Sequence, residues 1–214
     1  MANSNTHWLT VYIWNDDIVG AQRIIGLPDL DHDAALLEVI RSSTTIFSNG
    51  LRIIEKMLNG HLIKDTAAII QACVLHGNTA ILSLVIDKYT TINRDWFYYA
   101  LSQLTENVFM ATRAHVVARW IINYAAEHAY TMPTHDLLEL INLADKTTAY
   151  AALDAIYDNS AHYKIFINHL TLSTKCQLSP NAELYLYDNG KRKYTVAEYA
   201  AATLRSVMSS LVCK

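Results

Sequence analysis

Nine histidines and three cysteines are the side chains that invite chemistry in this chain of 214 residues. A zinc site normally takes paired ligands from one helix face, as in H-x-x-x-H. That spacing is absent. Glu127-His128 and His135-Asp136 lie close in sequence without forming such a pair. His162 and His169 would stand about two turns apart on a helix, too far to chelate one ion. The histidines therefore read as surface or packing residues. Cys176 with His162 or His169 would supply a nucleophile and a base, but a reactive thiol needs a depressed pKa as well as a base. No known signature surrounds Cys176. Cys73 falls on an apolar helix face and reads as core. No G-x-x-x-x-G-K-[ST] or G-x-G-x-x-G run occurs, and six glycines are too few for a rich phosphate loop. The residues predict no enzyme, no cofactor and no metal.

The aromatic run Trp96-Phe97-Tyr98-Tyr99 points to recognition instead. At 3.6 residues per turn, four consecutive rings cannot all face one core. Some must pack between helices and others reach the surface, where Trp and Tyr are favoured binding anchors. Tyr124 and Tyr130 extend the same candidate surface.

The elements that would position these residues recur along the chain. The clearest copy is Ala67-Ala68-Ile69-Ile70-Gln71-Ala72-Cys73, then His76-Gly77-Asn78, then Ile81-Leu82-Ser83-Leu84-Val85-Ile86-Asp87. Similar second phrases begin at Leu51 and His115, a weaker one at Tyr150 and the weakest at Asp17. Their anchors, Ile18, Ile53, Ile81, Val116 and Ala151, lie about 28 to 35 residues apart, the range of helix-pair repeats. Apolar residues at i, i+1, i+4 and i+5 form one helix stripe and do not fit a strand. Partner helices are predicted over 34–40, 66–73, 96–101 and 137–141. Asp95 is a candidate N-cap for the third of these, and Asp136 with Glu139 a capping box for the fourth. A short hairpin or arm is predicted at 182–187. A closing helix is predicted over 195–211, with Thr195 and Glu198 at capping-box spacing. The expected organisation is helical repeats over 1–161 and a less regular segment over 162–214, packed on the same stack.

Composition agrees. The chain is 52% hydrophobic and only 17% charged, which long buried helix faces or an exposed apolar patch would explain. A net charge of −3 gives no global pull on nucleic acid. The basic run Lys191-Arg192-Lys193, beside Asp188 and Asn189, reads as a solvated loop, because phosphate binding needs a wider basic footprint. An odd cysteine count without C-x-x-C suits a reducing, cytoplasmic setting. No stretch has the roughly 20 apolar residues of a membrane span, and the first residues do not form a standard secretory signal.

The repeated phrase resembles ankyrin repeats, whose unit is a turn, a short helix with small residues, a Gly-His or Gly-Asn break and a second helix reading I-V-x-x-L-L. The match is best over 66–89 and moderate at Ile53 and Val116. Asp188-Asn189-Gly190-Lys191 followed by Tyr194-Thr195-Val196-Ala197 resembles the family's D-x-x-G-x-T-P-L opening, with extra residues and Val196 in place of Pro. No copy has an intact T-P-L-H tetrapeptide, and 105–113 lacks the glycine break. The resemblance implies an all-α solenoid of four to five divergent helix pairs with a C-terminal capping helix; another α-solenoid family fits the same period. It implies a protein-binding module, monomeric or weakly homo-oligomeric, that engages a protein partner through turn tips and first helices. On that analogy the partner-binding residues are Asn93, Arg94, Asp95, Trp96, Tyr99, His135, Lys191 and Arg192. Decayed repeats of this kind are typical of bacterial effectors and large DNA viruses, which implies delivery into a host cell as one location. The rival expectation is an enzyme or modifier whose site lies in 159–189 on a helical scaffold.

Overall fold

The computed structural model describes residues 4–42, 46–90, 98–99, 101–103, 112–130, 132, 136–137, 141, 146–159 and 161. Every regular element among them is helical: α1 (Ser4–Trp14), α2 (Ile18–Ile24), α3 (His32–Ser42), α4 (Ser48–Asn59), α5 (Thr66–His76), α6 (Thr79–Thr90), α7 (Ala114–Glu127) and α8 (Lys146–Asp158). Residues 98–99, 101–103, 136–137 and 141 are also helical. The all-α expectation holds. The phrases beginning at Leu51, Ala67, Ile81, His115 and Tyr150 each fall inside one helix, and the weakest phrase is α2, with Asp17 as its N-cap. The hairpin expected at 182–187 and the helix expected over 195–211 lie outside the described residues. The chain divides into two compact units, residues 1–113 and 114–214.

In the first unit the helices neighbour one another in two series. α1 packs on α3 and α3 on α5; α2 packs on α4 and α4 on α6. α1 also packs on α2 and α4, and α5 on α6. The local chemistry recurs with the same register. Asp31 Oδ1 accepts from the Ala34 N–H at 3.0 Å, and Asp65 Oδ1 from the Ala68 N–H at 3.0 Å, capping α3 and α5 alike. Asp17 Oδ1 accepts from the Gly20 N–H at 2.8 Å, and Asn78 Oδ1 from the Ile81 N–H at 3.2 Å, capping α2 and α6. The matched caps align Leu36 with Ile70 and Ile40 with Val74, and the left-handed residues Asp16 and Gly77 that close α1 and α5 align Leu9 with Ile70 and Ile13 with Val74. All six side chains are completely buried.

Four helices end in one kind of turn, with a left-handed residue followed by an N–H that bonds the carbonyl five residues back. Asp16 (φ 58), His61 (φ 53), Gly77 (φ 67) and Ala129 (φ 54) take the left-handed position. The returning bonds are Asp17 N–H to Tyr12 O at 2.9 Å, Leu62 N–H to Met57 O at 2.9 Å, Asn78 N–H to Cys73 O at 2.9 Å and Tyr130 N–H to Ala125 O at 2.8 Å. The backbone thus keeps a break that the sequence marks with glycine only at Gly77. Gly60 is displaced by one residue from the left-handed position, at φ −77.

Helix α1 was not expected from the sequence. Its buried residues, Thr6, Leu9, Thr10 and Ile13, have clean helical spacing, but two are threonines. Trp8, Val11, Tyr12 and Trp14 lie on its other faces, so no apolar stripe stands out. In the second unit, α7 and α8 pack together. Val117, Ala118, Ile121 and Ile122 of α7 are fully buried, as are Ala149, Ala152, Leu153, Ala155 and Ile156 of α8.

Candidate interaction surface

Successive helix pairs in the first unit are tied by side chains that reach the backbone of the next pair. Thr6 Oγ1 accepts from the Asp31 N–H at 3.2 Å. One pair later, Asp33 Oδ1 accepts from the Lys64 N–H at 3.0 Å and the Asp65 N–H at 3.3 Å. The donors sit just before α3 and α5, so both inter-pair loops, 25–31 and 60–65, are held by the same device. His32 adds a further tie: its Nε2 lies 2.8 Å from the Ile25 carbonyl oxygen, which accepts a proton held on that nitrogen. Asp29, Asp31, His61, Lys64 and Asp65 are exposed along these loops.

At the opposite end of the helix pairs lie the N-termini of the second helices. Asp16 caps α4 from outside that helix. Its Oδ1 accepts from the Gly50 N–H at 2.8 Å, and its Oδ2 from Asn49 Nδ2 at 3.1 Å. Phe47 occupies the α4 N-cap position and makes no side-chain cap bond. A Ser, Thr, Asp or Asn would be the stabilising choice there. Instead a phenyl ring stands 61% exposed, beside a helix whose cap comes from elsewhere. Val19, in the first turn of the neighbouring α2, is 56% exposed. The edge where α2 and α4 begin therefore presents apolar groups, whereas the loop edge presents charges.

The second unit carries a ladder of rings. Trp120 and Tyr124 have centroids 4.9 Å apart, and Tyr124 and His128 are stacked at 4.0 Å. Tyr130 stacks on both Tyr124 and His128, at 6.4 Å and 6.2 Å. His128 Nδ1 donates to the Tyr124 carbonyl at 2.9 Å, which fixes the ring over the last turn of α7. Tyr124 is buried and His128 exposed, so the ladder runs from core to surface. On the same helix Arg119 pairs with Asp154 at 3.4 Å and with Asp158 at 3.9 Å.

Of the partner-binding residues expected from sequence, Tyr99 is described: it is helical and half-buried, and its carbonyl accepts from Ser102 Oγ at 2.9 Å. Tyr98 beside it is exposed, as the aromatic run implies. Asn93, Arg94, Asp95, Trp96, His135, Lys191 and Arg192 lie outside the described residues, as do His162, His169 and Cys176. Cys73 is completely buried, and burial pushes its thiol pKa far above the ordinary range. It is the core residue expected. Among the described residues no group of three or more His, Cys, Asp or Glu could hold a metal ion, and no helix is long and apolar enough to cross a membrane. Sequence reasoning passed over Phe47, Val19 and Trp8. The one available signal was an aromatic residue placed directly before a helix start, Phe47-Ser48, where a capping side chain belongs.

Compared with known proteins, the chain matches no protein-family model, no curated protein and no solved structure.

Proposed function

We propose that the chain is a protein-interaction module built from divergent, ankyrin-like helix pairs stacked as an α-solenoid. Its turns and first helices would serve as the binding surface for a partner protein. Repeat stacks usually work this way, because each pair contacts only its neighbours and leaves an extended row of turns free. The latches from Thr6 and Asp33 support this reading, since they preorganise two consecutive loops and reduce the ordering cost of binding. A reducing, cytoplasmic location goes with it.

The observation that carries the proposal is Phe47, which stands in the turn between the two helices of a pair, at the opposite end from those loops. A residue at an N-cap has a structural job to do, and Asp16 does that job instead. What remains is a large apolar side chain held out at a turn, with Val19 on the adjacent helix start. Interfaces draw most of their energy from a few such anchors surrounded by polar groups.

The test separates binding from folding. Phe47→Ser places a good capping residue at the start of α4, so thermal stability should hold or rise by about 0.5 to 1 kcal/mol. Capture of partners by wild-type chain and by Phe47→Ser, compared from the same lysate, should show a partner retained by the former and lost by the latter. A partner retained equally by both would refute Phe47 as an anchor. A loss of stability in Phe47→Ser would make the ring structural.

A further inference from the structure

The dipeptide Asn-Gly occurs three times in the chain, at Asn49-Gly50, Asn59-Gly60 and Asn189-Gly190. It is chemically labile, because glycine has no side chain to shield its backbone nitrogen from the preceding amide. The last pair lies outside the described residues, and the first two bracket α4. Asn49-Gly50 is built into the joint between successive helix pairs. Asn49 Nδ2 donates to Asp16 Oδ2 at 3.1 Å and to the Asp16 carbonyl oxygen at 3.4 Å. The Gly50 N–H donates to Asp16 Oδ1 at 2.8 Å. No larger residue fits in place of Gly50: a Cβ there would come within 2.7 Å of Ile46 Cγ2 and 2.8 Å of the Ile13 carbonyl oxygen. Packing thus requires the glycine, Asp16 engages the asparagine, and a labile pair results.

We propose that Asn49-Gly50 is a self-modification site that Asp16 holds shut, and that its conversion opens the start of α4 for good. In the reaction the Gly50 nitrogen bonds to Asn49 Cγ, the Cγ–Nδ2 bond breaks and ammonia leaves, taking up the nitrogen's proton by way of solvent. Water then adds to either carbonyl of the succinimide ring and opens it to aspartate or isoaspartate, with nothing oxidised or reduced. Three features of the native joint oppose the first step. The Gly50 N–H is held by a carboxylate, whose charge disfavours deprotonation of that nitrogen. Asn49 is helical, and closing a near-planar five-membered ring demands a ψ far from the helical value of about −42°. The Asn49 amide is itself engaged by two oxygens of Asp16. Conversion therefore proceeds through local opening of the joint.

The product does not fit the joint that held the reactant. Where Asn49 offered an N–H to two oxygens of Asp16, a carboxylate sets a like charge against the same oxygens. Isoaspartate also adds a carbon to the main chain inside the first turn of α4. A carboxylate near a helix N-terminus is ordinarily favourable, but Asp16 already fills that role at Gly50. Asp16 therefore loses its hold on α4, and the joint does not close again. This chemistry needs no partner protein, so it stands or falls apart from the reading of Phe47.

Incubation of the full chain at neutral pH tests it, with peptide mapping by mass spectrometry to follow amide-to-acid conversion and isoaspartate at each pair. In guanidinium chloride the three pairs should convert at similar rates. In the native chain Asn49 should convert about 10- to 100-fold more slowly than in guanidinium, the range set by a bond to a charged acceptor that must open first. Asp16→Ala should speed conversion at Asn49 at least about 10-fold and leave Asn59 and Asn189 unchanged. Asn49→Asp makes the product directly and needs no Asp16 variant. It should lower the urea midpoint and speed exchange of the Gly50 amide, and in an Asp16→Ala background the same substitution should no longer lower the midpoint. Native conversion of Asn49 at the unfolded rate overturns the proposal, as does no native conversion at all. So does an Asn49 rate indifferent to Asp16→Ala, or a rise shared by all three pairs, which marks global unfolding. An Asn49→Asp chain as stable as wild type, with its Gly50 amide still protected, overturns the claim that the joint opens.

Discussion

Removing the Asp16 carboxylate should cost stability through a helix that begins more than thirty residues downstream. Its Oδ1 accepts from the Gly50 N–H at 2.8 Å, and that amide is an orphan donor of the first turn of α4. Gly50 is buried, so water does not replace the lost acceptor. Loss of a charged cap to a buried N–H is worth about 2 kcal/mol. Asp16 also sits at φ 58, where a residue with a Cβ costs roughly 1 kcal/mol more than glycine. Three substitutions therefore separate the two effects. Asp16→Ala loses the cap and keeps the strained backbone, for about 2 kcal/mol, or roughly 4 to 8 °C in a chain of this size. Asp16→Gly loses the cap but relaxes the backbone, for about 1 kcal/mol. Asp16→Asn keeps an acceptor oxygen and tolerates the left-handed conformation, for less than about 1 kcal/mol. Urea unfolding followed by circular dichroism gives the order. Equal loss in Ala and Gly would refute the backbone argument, and an Asp16→Ala protein as stable as wild type would refute the cap.

Three further outcomes follow from the same structure. Ala129→Gly should raise stability by about 0.5 to 1 kcal/mol by relieving a left-handed residue. Gly77→Ala should lower it by about 2 to 3 kcal/mol, because it adds strain at φ 67 and a Cβ would come within 2.5 Å of Arg113 Cβ; thermal melts of both proteins check the signs. Cys73 has its folded pKa raised above its ordinary 9.0, so it favours the native state fully below pH 9 and less as pH climbs and the unfolded thiol ionises. The stability gap between wild type and Cys73→Ala should narrow by about 1 kcal/mol from pH 9 to pH 10; a gap that stays constant would place the thiol in contact with water.

The helices were legible where one face alone is apolar. α4 is the clearest case, with Ile53, Ile54, Met57 and Leu58 buried and Arg52, Glu55 and Lys56 exposed. α1 was not, because its buried stripe is half threonine: Thr6 and Thr10 use their hydroxyls on neighbouring backbone, with Thr10 Oγ1 donating to Thr6 O at 3.2 Å. A hydrophobic reading cannot weigh such groups. The breaks between helices were read only at Gly77, where a glycine takes the left-handed position; Asp16, His61 and Ala129 adopt the same backbone without a glycine. The caps were partly readable: Asp17, Asp31, Asp65 and Asn78 act within three residues, whereas Asp16 caps α4 from another helix pair. That distance is also why the signal at Phe47-Ser48 did not by itself mark Phe47 as a candidate anchor. Its significance depends on a carboxylate that only the fold brings to it.

The account rests on successive pairs meeting in one repeated register, and nuclear Overhauser contacts in isotopically labelled full-length chain test that directly. The Asp31 amide should show contacts to Thr6 side-chain protons, the Lys64 amide to Asp33 Hβ, and the Gly50 amide to Asp16 Hβ. All three present together is the predicted result. Helical chemical shifts over α1 to α6 with these three contacts absent would mean that the helices form without stacking in this order, and would contradict the account.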